Sequence, residues 1–101
     1  MGVYEILHQD AETKTSVHFD YDRYFRKCSP HIIGRGLQGP LVLAYQYAGA
    51  SKSGLVPEWR CFAVNRIMKL ELCPEDGWHF EKTKGYLQTC VKAIDYRVKN
   101  D

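Results

Sequence analysis

The chain has 101 residues, 45% of them apolar, with a formal net charge of +2. That length makes one domain, residues 1–101, with a single modest core, and the apolar share excludes a disordered chain. So small a charge neither demands nor excludes a nucleic-acid partner, because local patches matter more than the total.

No apolar run approaches the roughly 20 residues of a membrane span. The opening "MGVYEILHQD" lacks a signal-peptide core and carries Ile6 where myristoylation needs Ser or Thr. The expected compartment is therefore the cytoplasm, with no membrane partner. Cysteines stand at 28, 61, 73 and 90 with no CxxC pair, so free structural thiols are expected over bridges or metal ligands.

Val3, Ile6 and Leu7 keep helical spacing and predict a short amphipathic helix over residues 3–11. "SVHFDY" switches to period two, with Val17, Phe19 and Tyr21 on one face, which is a half-buried strand. "DR" at 22–23 turns it into a second strand, "YFRKCS", whose pairing should weaken at Pro30. "GRGLQGP" (34–40) reads as a loop. "LVLAYQY" (41–47) is apolar almost throughout and reads as a central strand covered on both faces. After the loop "AGASKSGLVPE" (48–58), "WRCFAVNRIMKLEL" is long for one strand and should bend near Asn65–Arg66. "CPEDG" ends it. The tail carries helical hints at Leu87, Val91 and Ile94 and strand-like alternation at Ile94, Tyr96 and Val98, so either element could close the core. One helix followed by about five antiparallel strands, with no crossover helices, is a mainly β chain. It argues for a small barrel or a strongly bent sheet.

"GASKSG" is not a phosphate loop: Lys52 precedes Gly54 instead of following it, and the next element is a strand. It reads as a hairpin loop that could wall a pocket, with Lys52 as a mobile positive charge. The histidines at 8, 18, 31 and 79 have no metal spacing, and no nucleophile elbow is present. No metal, no cofactor and no catalytic residue are expected, and the chain is not expected to be an enzyme. His31, just after Pro30, is a candidate binding residue or a satisfied structural histidine. Arg26 falls on the second strand. Arg35, between two glycines, lets its backbone come close to a ligand. Arg60 and Arg66 bracket the Phe62–Val64 face of the long strand, with Tyr45, Tyr47 and Trp59 near them in sequence. Arginine beside exposed aromatics equips a surface to hold phosphates and stack bases. The ordinary reading is that arginine stems cover apolar surface and point outward.

"VHFDY", "FRKCSPHIIG", "GPLVLAYQY" and "WRCFAVNRI", in that order, resemble the WYL domain over residues 15–72. Ala44 and Tyr45 match that family's Ala-Tyr, and Phe62, Arg66 and Ile67 match its last motif. The naming triplet is absent, because Pro40, Leu41 and Val42 stand there. The family's second Arg falls on Ala63, which removes one ligand contact that the resemblance implies, and its Asp falls on Asn65. The resemblance implies an Sm-like, SH3-type barrel of about five strands. It also implies a ligand-sensing or nucleic-acid- or nucleotide-binding role of the kind found in bacterial transcription regulators and defence systems. There the domain usually follows a DNA-binding helix-turn-helix, for which this chain has no room.

The ligand-binding candidates for an anionic group, a nucleotide or single-stranded nucleic acid are Arg26, His31, Tyr45, Lys52, Arg60 and Arg66, and Arg66 is the one arginine that charge and resemblance both select. Arg66 is expected to line one pocket with Tyr45 and Arg60; its ordinary alternative is a structural pair with a carboxylate. The competing function is a protein-interaction domain that forms a homodimer or docks on a regulatory partner.

Overall fold

The structure, a computed structural model, describes residues 2–52, 54, 56–82, 86 and 90–99. Helix α1 spans Val3–Glu12. Its buried stripe is Leu7, Asp10 and Ala11, with Val3 and Tyr4 packed more loosely against the same core. Asp10 is thus a carboxylate in an apolar stripe: it is 3% exposed, and its Oδ2 has no hydrogen-bond partner. Burial pushes its pKa up to about 6. It also lies in the last turn of a helix, where the carbonyl end disfavours negative charge and no basic side chain offsets it.

Six strands form one antiparallel sheet: β1 (Val17–Tyr21), β2 (Tyr24–Gly36), β3 (Gly39–Gly49), β4 (Glu58–Ala63), β5 (Met68–Leu72) and β6 (Ala93–Arg97). The path is β4-β3-β2-β1-β5, with β6 added on β2. β1 buries Val17, Phe19 and Tyr21 and leaves His18 and Asp20 half-buried, as its period-two pattern requires. It turns into β2 through Asp22 and Arg23, both at positive φ, a hairpin turn that twists with the strands.

β2 does not stop at Pro30. It runs on for 13 residues, because the ladder to β3 shifts register between Pro30 and Ile32 and His31 becomes an extra, bulged residue. The missing N–H of Pro30 falls at that break. "GRGLQGP" is correspondingly tighter than a loop: the two strands pair to Gly36–Gly39 around a turn of Leu37 and Gln38. Gly34 lies against β6, where a Cβ would overlap the Ala93 carbonyl oxygen.

β3 is covered on both faces. Val42 and Ala44 belong to one apolar cluster and Leu43 and Tyr45 to the other. The long run after the 48–58 loop bends where Asn65 and Arg66 were expected to bend it: β4 ends at Ala63, a 3-10 turn takes Val64–Arg66, and β5 begins at Met68. This turn joins the two ends of the five-strand path. A flat sheet would hold them about 19 Å apart, whereas the turn and its flanks span only about 13 Å. The sheet therefore curls. Phe62 on β4 meets Phe19 and Tyr21 on β1 edge-to-face, at ring separations of 5.1 and 4.9 Å. The sheet is not closed: among the described residues no ladder joins β4 to β5, and six strands are present where about five were expected.

The tail supplies the sixth strand, pairing β6 with Ile32–Arg35 of β2. The helical hint at Leu87 lies outside the described residues. Before β6, Trp78, Phe80, Tyr86 and Val91 cover the sheet's outer face around Leu43, Tyr45 and Trp59. Cys61 on β4 and Cys90 in this segment form a disulfide, with Cα atoms 6.6 Å apart. The expectation of four free thiols is thus corrected: Cys28 and Cys73 are free and buried. No spacing rule brings residues 61 and 90 together; the tail's return across β4 does. Among the described residues no helix is long and apolar enough to cross a membrane.

Candidate anion-binding site

Arg26 is set by alternation on β2 between Phe25 and Lys27, and the ladders place it opposite Phe19 and Gly49. Its side chain points into the curl and is 4% exposed. The rings of Tyr21, Tyr24 and Phe62 surround the guanidinium at 5.5, 5.6 and 5.5 Å. Its hydrogen bonds go to neutral acceptors: Nη1 donates to Gln46 Oε1 (3.2 Å) and Nη2 to the Tyr21 carbonyl (3.1 Å). Gln46, itself fully buried, is fixed for this by donating to the Ala48 and Ala50 carbonyls. Arg26 Nε is buried without a partner, and among the described residues no carboxylate forms an ion pair with this arginine. Burial, and then the like charge of Arg60, pull its pKa down.

A cavity of about 350 Å³ lies against this guanidinium, also walled by Lys52, Arg60, Asp22, Trp59 and Tyr21. Arg60 Nη2 donates to Ser51 Oγ (2.9 Å) and lies 2.6 Å from Glu58 Oε2, a close charge contact without hydrogen-bond alignment. Asp22 is engaged by Arg66. Lys52 is exposed on the loop after β3. Asp22 on the cavity wall and Glu58 beside Arg60 are thus matched to other arginines, and among the described residues no carboxylate pairs with the buried charge of Arg26.

No protein-family model, curated protein or solved structure matches the chain. The site is read from its own chemistry.

Of the six sequence candidates, Arg26, Lys52 and Arg60 line this cavity together. Tyr45 does not: it is 4% exposed on the outer face, packed at a tilt against Trp59 with ring centroids 5.0 Å apart, and burial raises its pKa. His31 also faces outward, packed among Trp59, Trp78 and Phe80, with Nε2 donating to the His79 carbonyl (3.1 Å). Arg66 does not join Tyr45 and Arg60. The 3-10 turn at Val64 ends the period-two spacing, so Arg66 leaves the Arg60–Phe62 face, pairs with Asp22 and lies over the Tyr21 ring at 4.9 Å. It walls a different cavity, about 510 Å³, beside Cys90 and Lys92. Arg35 lies over Tyr4 at the helix, away from both arginines of the site. Sequence reasoning missed Gln46, whose burial inside an apolar strand was the signal, and Tyr21, which presents both a carbonyl and a ring to Arg26. A separate convergence of His18, Cys73 and Asp76 lies on the β1–β5 side of the sheet.

Proposed function

We propose that the chain is a non-catalytic binding or sensor module for an anionic ligand, of the WYL type its sequence resembles. The ligand class is a nucleotide or a short single-stranded nucleic acid. One observation carries the reading: a guanidinium buried to 4% exposure, held by neutral acceptors, stands beside a second arginine on a cavity wall. A buried charge without a counter-charge costs several kcal/mol unless something compensates it. An anion entering the cavity supplies that compensation and takes charge-assisted hydrogen bonds from Arg26, Arg60 and Lys52. Tyr21, over whose ring Arg26 lies, gives the same cavity aromatic surface for a base. The curled sheet with a 3-10 turn between β4 and β5 supports the SH3-type reading, and action inside the cytoplasm in transcription regulation belongs to the same proposal.

A second reading, docking of a protein partner, is favoured by β5, an edge strand on which Met68 and Leu72 are 63% and 54% exposed. Salt separates the two, since phosphate contacts weaken steeply as salt rises and an apolar interface barely responds. In fluorescence anisotropy with a labelled single-stranded oligonucleotide, wild type is expected to bind with a negative salt slope. Lys52→Gln should lower that slope by about one. Arg26→Gln should weaken binding about 10- to 150-fold, the loss of a hydrogen bond to a charged group. An oligonucleotide and a nucleoside triphosphate that both fail to bind at low salt would sink the anion reading and leave docking.

A further inference from the structure

β5 ends at Leu72, and the chain passes through Cys73 into a 3-10 turn, Pro74–Asp76. Positions three apart eclipse in such a turn, so Cys73 and Asp76 present their side chains to one side. β1 runs beside this point: its ladder with β5 sets His18 opposite Glu71. One ligand atom each from His18, Cys73 and Asp76 lies within 4.8 Å of the other two. His18 Nε2 is already 2.8 Å from Asp76 Oδ2. Around a tetrahedral zinc ion, with bonds of about 2.0–2.3 Å, ligand atoms stand about 3.3–3.8 Å apart. Shifts of an ångström or less would close this triangle on a metal.

The triangle is held from outside. The Cys73 N–H donates to the Ser16 carbonyl (2.8 Å), Ser16 Oγ donates to the Gly77 carbonyl, and Ser16 Oγ and Ser29 Oγ share a buried hydrogen bond of 2.7 Å. Both ends of the turn are therefore pinned to Ser16, which is fully buried and braced by Ser29. Tyr47 Oη donates to Asp76 Oδ2 at 2.7 Å, the outer hydrogen bond that orients ligating carboxylates in metal centres. Exposure is graded: Cys73 is 4% exposed, while the His18 and Asp76 side chains are 17% and 25% exposed. The thiol sits at the base and the mouth opens to water.

We propose that His18, Cys73 and Asp76 form a binding site for one divalent transition-metal ion of the zinc class, with water in the fourth position. A mixed nitrogen, sulfur and oxygen set suits zinc and disfavours calcium and magnesium, which take oxygen ligands. The site lies across the sheet from Arg26 and does not depend on the anion reading. In its absence, His18 and Asp76 would be an ordinary hydrogen-bonded pair beside a buried thiol.

Cobalt(II) chloride, added to the folded protein as a spectroscopic stand-in for zinc, tests the assignment. The expected result is one equivalent bound per chain, a near-ultraviolet thiolate-to-cobalt charge-transfer band, and its loss when zinc chloride is added. Cys73→Ser should abolish the band. Tyr47→Phe should keep it and weaken cobalt affinity about 10- to 100-fold, the usual effect of removing an outer-shell partner. Circular dichroism checks that each variant folds. Should Cys73→Ser not fold, His18→Asn replaces it, with an expected affinity loss of tenfold or more. No charge-transfer band at saturating cobalt overturns the proposal. So does a band that survives Cys73→Ser, because it would belong to Cys28, or a His18→Asn affinity equal to wild type.

Discussion

Reduction of the Cys61–Cys90 disulfide is expected to lower stability by about 3.5 kcal/mol, the loop-entropy value for a sequence separation of 29. For a domain of this size that is a fall in Tm of about 15 °C or more. The bond has this leverage because of what it ties. Ala93, Ile94 and Asp95 of β6 are exposed, and so is Arg97, so the strand adds little burial of its own. The tail is otherwise held by Trp78, Phe80, Tyr86 and Val91 on the outer face and by Trp59 Nε1 donating to the Glu81 carbonyl (2.7 Å). The Cys61→Ala/Cys90→Ala double variant should match the reduced wild type. Thiol titration of the denatured, unreduced protein should count two thiols, Cys28 and Cys73. Four thiols, or an unchanged Tm on reduction, would contradict the bond. The same 3.5 kcal/mol is about what a reducing cytoplasm would withdraw from the fold.

The second large effect is a pair of opposed titrations. Burial pulls the His31 pKa down to about 4, the bond to the His79 carbonyl opposes that in part, and the Lys14 charge adds to it. In the unfolded chain the ordinary value is about 6.5. The unfolded state thus takes up the proton first, and His31's contribution is full above pH 6.5 and lost as pH falls towards 4. The difference amounts to about 3 kcal/mol. His31→Gln keeps an N–H donor without this titration, so its deficit relative to wild type should shrink by about 3 kcal/mol between pH 7.5 and 4. Asp10 acts in the other direction. Its folded pKa of about 6 stands above the unfolded 3.8, so its contribution is full below 3.8 and lost as pH rises through 6. Asp10→Asn should therefore stabilise the protein by about 2–3 kcal/mol at pH 7.5 and by little at pH 4. Between pH 4 and 6 the two groups offset one another in wild type. Denaturant unfolding at the two pH values checks both, and a gap that does not change with pH would remove the group concerned from the account.

What was legible in the sequence follows the physics of each segment. Val17, Phe19 and Tyr21 alternate because β1 has one face in the core, so pattern alone found that strand. The bend at Asn65–Arg66 was legible because fourteen residues exceed an ordinary strand. Pro30 marks the break in the ladder, but that a bulge at His31 absorbs it and lets β2 run on is revealed only by the partner strand. Half of the site could be read: Arg26 and Arg60 lie on strands whose alternation sends them to one cavity. Arg66 could not be placed, because the 3-10 turn breaks the period that grouped it with Arg60. Tyr45 is near the arginines in sequence and His31 follows Pro30, but neither fact says which face a strand side chain takes, and these two go to the aromatic outer face. Cys61 with Cys90, and His18 with Cys73 and Asp76, meet only through tertiary return of the chain, which no local spacing announces.

The central claim is that Arg26 holds an anion. Its Nε–H is buried and unpartnered, so in a ¹⁵N–¹H spectrum it should give a slow-exchanging side-chain resonance, assigned by its loss in Arg26→Gln. Titration with inorganic pyrophosphate and then with a short single-stranded oligonucleotide reads that resonance directly. The account predicts a saturable shift of the Arg26 signal, together with backbone shifts at Lys52 and Arg60, all diminished by added salt. An Arg26 resonance that stays in place while the protein is saturated with either anion would contradict it.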